Sequence, residues 1–533
     1  MKRRCYITLI LCPLLCFSAN LQAETMLYLE HAQTLDFDET LHPDAQILRG
    51  DVMFKHDDAV MYCDSAYYYE SRNSMDAFGN VRMVQGDTLF GYGDKLYYDG
   101  NTKFVRFRNN VRLVDKQTIL TTDSLNYDRQ NDLAWYFSGG MIVDSLNTLT
   151  SNWGQYRSGT KQALFKDNVR LMNSRFVMDA DTLHYNTESH IANIVGETVI
   201  IYEEETTIYS TLGWYNTETE HSMLLNHSLI VNAGGSTMTG DTIYYDKQAG
   251  WGKALQNIEM TDSANHITLY GNYGEMYEYG VHGQNSGFAT DSAMLVDWSD
   301  STDYTYIHAD SLFTEELQYK LAQLIEVSDT LPPDTLWKDT TYRQMRGFYG
   351  VRLYKTDLQA VCDSFIYNGR DSIMMLFGSP IAWSDNQQVS AEHIDIYIKN
   401  GVVDYAHSIG SALAIEQKHT VCFNQLSGKE MFAYMREGKL RRIDVNGNAE
   451  TVFYPQEDDG TFVGVNKTQS SFVSIFFSED GKLEHATFTS ATAGTLYPLQ
   501  DLKYEERLLG GFFWAADVRP FSPDDVFRKV NRN

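Results

Sequence analysis

The chain has 533 residues and a formal charge of −28, from 43 Lys and Arg against 71 Asp and Glu. A hydrophobic fraction of 43% excludes wholesale disorder, and the acidity excludes a nucleic-acid binder that grips phosphates through a basic surface. With 35 Tyr and 27 Phe but only 9 Pro, the composition leans all-β, since aromatic residues suit pleated surfaces and Pro interrupts strand ladders.

Residues 1–23 read as a signal peptide: Lys2, Arg3 and Arg4 precede an apolar run from Tyr6 to Phe17, and Ala23 ends a small-residue site. The run is too short to span a bilayer, and no later stretch is as apolar for long enough, so a soluble exported protein is expected. Cleavage would remove Cys5, Cys12 and Cys16 and leave Cys63, Cys362 and Cys422, too far apart for a metal motif and odd in number. Cys63 and Cys362 each precede Asp-Ser, as small buried residues at equivalent places would.

From residue 24 onward the chain repeats. One string, Asp-Ser/Thr-Leu-x-Tyr-Asp/Asn, recurs around Asp94, Asp123, Asp181 and Asp241, with looser copies at Gln33, Asp64, Gly213, Asp310, Asp363 and Glu392. A second string interleaves with it: FGNVRMV at Gly79, FRNNVRLV at Asn109, FSGGMIV at Gly139 and FKDNVRLM at Asp167. A fixed period of about 30 residues means one supersecondary unit stacked many times. Gly79-Asn80, Asn109-Asn110, Gly139-Gly140 and Asp167-Asn168 read as two-residue hairpin turns, because these residues tolerate positive φ.

The strands between them alternate. Val81/Met83, Val111/Leu113 and Val169/Leu171 share one face, with Arg82, Arg112 and Arg170 opposite. Leu96/Tyr98, Leu125/Tyr127, Leu183/Tyr185 and Ile243/Tyr245 likewise share a face. Short antiparallel strands with one apolar face must roll that face inward, so an elongated sandwich, jelly roll or solenoid is expected. The repeated acid reads as a local side-chain contact to backbone at a strand start, and its multiplicity argues against catalysis.

Residues 24–314 read as a first repeat array and 347–489 as a second. Between them, at 315–346, Leu317, Leu321, Leu324 and Ile325 fall at helical spacing before Pro332-Pro333, which predicts a short amphipathic helix and a linker. The tail 490–533 is rich in Leu, Phe and Trp, with one or two short helices expected in it. It reads as a cap on the last open edge or a segment that docks a partner. No HExxH, GxSxG, Walker or dinucleotide motif occurs, and the calcium-like DVNGNAE at Asp444 lacks the required Gly and Glu. No enzyme, cofactor or metal is expected.

The signal peptide followed by reiterated GNV-R and A-D-S/T-L-x-Y-D strands, intact in order in GNVRMVQGDTLFGYGDKLYYD, resembles the OstA-like, LptA-type family of periplasmic lipopolysaccharide-transport proteins. With its GTLYPL and FSPDDVF tail, it looks like the large Bacteroidetes-type OstA-like members. The resemblance implies a periplasmic β-jelly-roll whose apolar groove shields the acyl chains of lipid A on the way to the outer membrane. It implies as partners lipopolysaccharide and other transport proteins at the inner and outer membranes, with end-to-end self-association. The groove would then be lined by Val81, Met83, Leu96, Tyr98, Val111, Leu113, Leu125, Tyr127, Val169, Leu171, Leu183, Tyr185, Ile243 and Tyr245. The other reading is a closed β-repeat scaffold of the cell envelope without lipid cargo.

Overall fold

The computed structural model describes residues 26–530 apart from 41, 204, 279–284, 326–333 and 458. The expected signal peptide and Pro332-Pro333 lie outside the described residues. The fold is all-β and antiparallel, and among the described residues it holds 36 strands, joined by pairing into one long sheet, and four short 3-10 turns but no α-helix. Two compact units divide between Val169 and Arg170.

Within the first unit the building block is a strand of 11 or 12 residues, such as Ser74–Gln85, Leu89–Asp99, Phe104–Asp115 and Thr118–Asp128, each pairing with the next. Each strand is bent near its middle, and here the structure corrects the sequence reading. Gly79-Asn80 and Asn109-Asn110 are not hairpin turns. Both residues of each pair have positive φ, yet the strand continues through them, and the register slips between Phe78 and Val81 and between Arg108 and Val111. They are β-bulges, which bend a strand and raise its twist. The true hairpin turns lie half a strand away, at residues 57–58, 86–88, 100–103 and 116–117.

The repeated acid belongs to these bends rather than to strand starts. The Asn80 amide donates to Asp64 at 2.8 Å, Asn110 to Asp94 at 2.7 Å and, in the second unit, Asn257 to Asp241 at 2.7 Å. Each Asn lies 16 residues after its acid. A Cβ on Gly79 would strike the Asp64 carboxylate, so this corner requires glycine for space as well as for its φ of 76°.

Both arms of a bent strand turn the same parity inward. In Ser74–Gln85, Met75 and Ala77 before the bulge and Val81 and Met83 after it are buried, whereas Arg82 is exposed. The outer face carries a cross-strand ladder, Tyr62, Arg82, Tyr92, Arg112, with the Arg82 guanidinium 4.2 Å from the Tyr62 ring centre. Gly91 leaves room inside for the Phe107 ring, whose tip would stand 2.6 Å from a Cβ there. Gly91→Leu should therefore overpack the core and cost about 1–3 kcal/mol, read as a lower denaturation midpoint. An unchanged midpoint would contradict this packing.

In the second unit the same bent strands run from Phe176–Asn186 to Ile267–Tyr277. The helix expected at 315–346 is absent. Ser311–Ile325 is a strand paired residue by residue with Asp334–Tyr354, from Ser311↔Phe348 to Ile325↔Asp334. Leu317 and Leu321 are four apart, a spacing that also puts them on one face of a strand, and the long partner strand decides between the two periods. Among the described residues past Tyr497, the helical elements are the 3-10 turns Leu499–Asp501, Glu505–Arg507 and Asp524–Phe527. This segment lies on a face of the strands, with Leu509, Ala515, Val518 and Val526 buried, and the last strand, Ala493–Tyr497, is left largely exposed.

Candidate functional site

All fourteen residues expected to line a groove are interior, none more than 3% exposed. In the first unit they form rows across the strands. One runs Leu96, Phe107, Leu125, Tyr136; another Tyr98, Val105, Tyr127, Ala134; a third Met83, Gly91, Leu113, Leu120, Ile142. Phe107 and Tyr136 complete these rows and were not picked out in the sequence: Phe107 opens the string FRNNVRLV but stands before its bend, apart from the Val111 and Leu113 chosen after it, and Tyr136 falls just outside both repeated strings.

In the second unit Leu171, Leu183, Tyr185, Ile243 and Tyr245 are all buried. Leu183 pairs with Ile194, and Ile243 lies between Leu224 and Ala254. A further row was missed altogether: Met178, Ile200, Ile208, Ile230, Met238, Met260, Leu269, Leu295. It is an unbroken apolar stripe perpendicular to the strands, built from large flexible or branched side chains. Its alternation was visible in the sequence: Ile200, Ile230 and Met260 stand in looser copies of the second string (IVGETVII, LLNHSLIV, LQNIEMT) at the place of Met83 and Leu171, but their partners Met178, Ile208, Met238 and Leu269 sit in strand halves without a repeated motif.

The tyrosines are placed for two purposes. Their rings belong to the interior, and their hydroxyls reach a line of ion pairs where turns from opposite ends of the bent strands meet. In the first unit Arg129, its side chain 2% exposed, bonds Asp58 at 2.6 Å and the Tyr98 hydroxyl at 2.6 Å. His56 Nδ1 lies 2.5 Å from the same Tyr98 oxygen. Lys161 pairs with Asp115 at 2.5 Å, and the Tyr156 hydroxyl donates to that carboxylate at 3.1 Å. Tyr127 donates to Asp132 at 3.2 Å and to Gln85 at 3.1 Å.

The second unit has the same arrangement. Arg175 pairs with the fully buried Glu220, Lys247 with Glu278 at 3.1 Å, and Arg343 with Asp262. Tyr245 donates to Glu278 at 2.9 Å. An amphipathic ring with its polar tip at a seam explains why the repeat uses Tyr rather than Phe there. These pairs latch the two arms of the bent strands together and close the interior into a roll.

Burial raises the phenols. Desolvation, with the Arg129 charge opposing it, pushes Tyr98 up to about 12, and Tyr136 is also pushed up to about 12, against its bond to Ser151. Tyr127, Tyr215 and Tyr245 are raised further by burial and then by Asp132, Glu220 and Glu278 respectively. Burial likewise pushes the Cys63 thiol up to about 12, so it is a poor nucleophile.

In the second unit the interior opens into a cavity of about 220 Å³. Met260, Ile267, Leu269 and Met276 form its apolar side, and Lys247, Glu278, Arg343 and Asp262 its charged side. It thus lies where the apolar stripe meets two of the latches. Among the described residues no group of His, Cys, Asp and Glu is arranged to hold a metal ion. In the calcium-like segment Gly447-Asn448 is another positive-φ bulge, and Asp444 is paired with Arg442. No helix of the described residues is long and apolar enough to cross a membrane.

Compared with known proteins, residues 24–181 match the family of OstA-like proteins. Among solved structures the chain is similar to LptH of Pseudomonas aeruginosa, the LptA homologous periplasmic component of its lipopolysaccharide transport device. That similarity has 10% identity over 26% of this chain and 95% of that one, with a TM-score of 0.21. No curated protein matches the chain. The likeness to OstA-like proteins thus rests on residues 24–181, which carry an OstA-like domain.

Proposed function

We propose that the protein is a non-enzymatic periplasmic carrier that holds the acyl chains of lipopolysaccharide within its rolled apolar interior during transport to the outer membrane. The observation that carries this reading is the set of continuous apolar rows crossing successive strands in a chain with an OstA-like domain. Covering apolar surface is favourable by about 25 cal/mol per Å², so such a stripe retains acyl chains without a covalent bond. Equivalent positions in neighbouring repeats present similar surfaces, which keeps barriers to sliding low. The cavity at Met260 and Leu269 is where cargo first meets this stripe, with Lys247 and Arg343 available to an anionic headgroup when their carboxylate partners are exchanged.

The same burial favours a second reading. With no lining residue above 3% exposure, the interior is filled by its own side chains, as in a lipid-free scaffold. Cargo must then unlatch the seam and part the arms. A photoreactive residue at Met238 or Tyr127, introduced one at a time and activated in cells, should crosslink to lipopolysaccharide. A probe at the exposed Arg82 should not. Equal labelling at all three sites, or none inside, would leave the scaffold reading in place. Partners at exposed strands of each unit are part of the proposal. Tyr28, Leu35 and Phe37 are exposed on the first two short strands of the first unit, and Leu483 and Leu496 on the last two of the second, as sheet edges that await another strand would be.

A further inference from the structure

The slot that carries arginine in the first repeats carries a different chemistry near the end of the chain. Two residues after the bulge Gly79-Asn80 comes Arg82, exposed on the outer face. At the same place after Gly378-Ser379 and Gly410-Ser411 come Ile381 and Leu413, followed at the next outward positions by Trp383 and Ile415. Trp383 and Ile415 are 1% exposed although they face out of the roll, because the C-terminal segment lies on them.

Outward apolar residues alone would make only a sticky face. What makes this a site is a row of buried amides between them. Across the strands the outward row reads Gln359, Trp383, Gln388, Ile415, Gln425, Val452. The three glutamines are 3%, 2% and 3% exposed. Gln388 donates to the Phe513 carbonyl at 2.6 Å and accepts from the Ala515 N–H at 2.8 Å. Gln425 donates to the Arg507 carbonyl at 3.0 Å and accepts from the Leu509 N–H at 2.8 Å. Each therefore grips the carbonyl of one residue and the N–H of the residue two further on. A carboxamide has the donor and acceptor of a peptide group, so it does for the tail what a residue of a neighbouring parallel strand would do. Gln359 instead accepts from the Arg519 guanidinium at 2.8 Å, and Arg352 donates to the Val518 carbonyl at 3.0 Å.

We propose that this outer face is a peptide-binding site that reads the main chain of an extended segment through Gln388 and Gln425 and seats small or branched apolar anchors between them, and that its resident ligand is the chain's own C-terminal segment bound in cis. The site is independent of lipid cargo, since it lies on the opposite side of the sheet from the interior. Most of the recognition is main-chain hydrogen bonding with pockets for Leu509, Ala515 and Val518, the division of labour by which extended peptides bind along sheets.

The test keeps the full chain. A protease site inserted between Tyr497 and Pro498 is cut after folding, and the nicked protein is passed over a sizing column with and without a fluorescent peptide spanning residues 498–530. The severed segment should remain bound and should exchange with the labelled peptide in a saturable way. A peptide carrying Leu509→Asp and Val518→Asp should fail to compete. In a nicked chain with Gln388→Leu and Gln425→Leu, release should be about tenfold faster or more, from the loss of both two-point grips. Immediate separation of the wild-type segment from a body that keeps its strand circular dichroism would overturn the proposal. So would equal competition by the Asp-bearing peptide, a measurement that needs no altered body and survives a failure of the glutamine variant to fold.

Discussion

Raising the pH from 10 toward 12 should unfold both units, with the phenolate signal and the loss of strand circular dichroism rising together. Free tyrosine titrates near 10, whereas burial holds Tyr98, Tyr136 and Tyr454 up to about 12 and raises Tyr127, Tyr215 and Tyr245 further. A phenol whose folded pKa exceeds its unfolded value gives its full stability below pH 10. It loses that stability as the pH climbs from 10 toward the folded value, because the unfolded chain then releases a proton that the folded one retains. Each such group contributes a slope of about 1.4 kcal/mol per pH unit, so the three in each unit together give about 4 kcal/mol per unit. Two pH units thus remove about 8 kcal/mol, which lies within the usual total stability of about 5–15 kcal/mol and brings either unit close to or past its unfolding midpoint. Ionisation also places a phenolate beside Asp132 or Glu278, where like charges repel at the seam. Tyrosines that titrate near pH 10 while the strand signal persists would show that the rings are not sealed in the roll. Tyr127→Phe should shallow the alkaline slope of its unit and leave the remaining transition in place.

The seam is also where reading the sequence stopped short. The inward faces were legible because a period of two is unambiguous in LYYD or VRMV, and all fourteen residues chosen on that basis are interior. What could not be read is where the strand bends. Two adjacent residues tolerant of positive φ have the same signature in a tight hairpin turn and in a bulge, and Asn109-Asn110 suits both. The deciding signal was present but of a different kind, namely the constant offset of 16 between the repeated Asp and the Asn that bonds it. A turn would have no use for that partner. Lys161 and Asp115 are 46 residues apart, Arg129 and Asp58 are 71. Such pairs lie in turns of ordinary polar composition, and only the fold makes them neighbours. The insertion misled for a simpler reason: Leu317 and Leu321, four apart, satisfy helix and strand alike, so the long partner strand Asp334–Tyr354 had to decide.

Substituting Arg175 tests how far the latches hold the roll closed. Its guanidinium pairs with Glu220, whose side chain is fully buried while that of Arg175 is 37% exposed. The turn that carries Arg175 is itself fixed, since Asn173 Oδ1 accepts from the backbone N–H groups of both Arg175 and Phe176. Glu220 sits in a turn of positive φ at the other end of the bent strands. Arg175→Met keeps the aliphatic stem but strands a buried carboxylate, and removing one partner of a buried pair costs about 3–5 kcal/mol. The partial exposure of Arg175 lets water approach, so the lower end, about 3 kcal/mol, is expected. The loss should appear as a lower denaturation midpoint. Adding Glu220→Gln to Arg175→Met should return most of it, because a neutral amide tolerates the site that a lone carboxylate does not. If Arg175→Met costs less than about 1 kcal/mol, or the double variant is no more stable than the single one, the pair is not a latch. If the latch does hold the arms, the single variant should also crosslink lipopolysaccharide more readily from Met238 than the unaltered chain does. An unlatched seam and a carrier's interior are then linked by one measurement, and a scaffold with a dry core would show the stability loss without the gain in lipid.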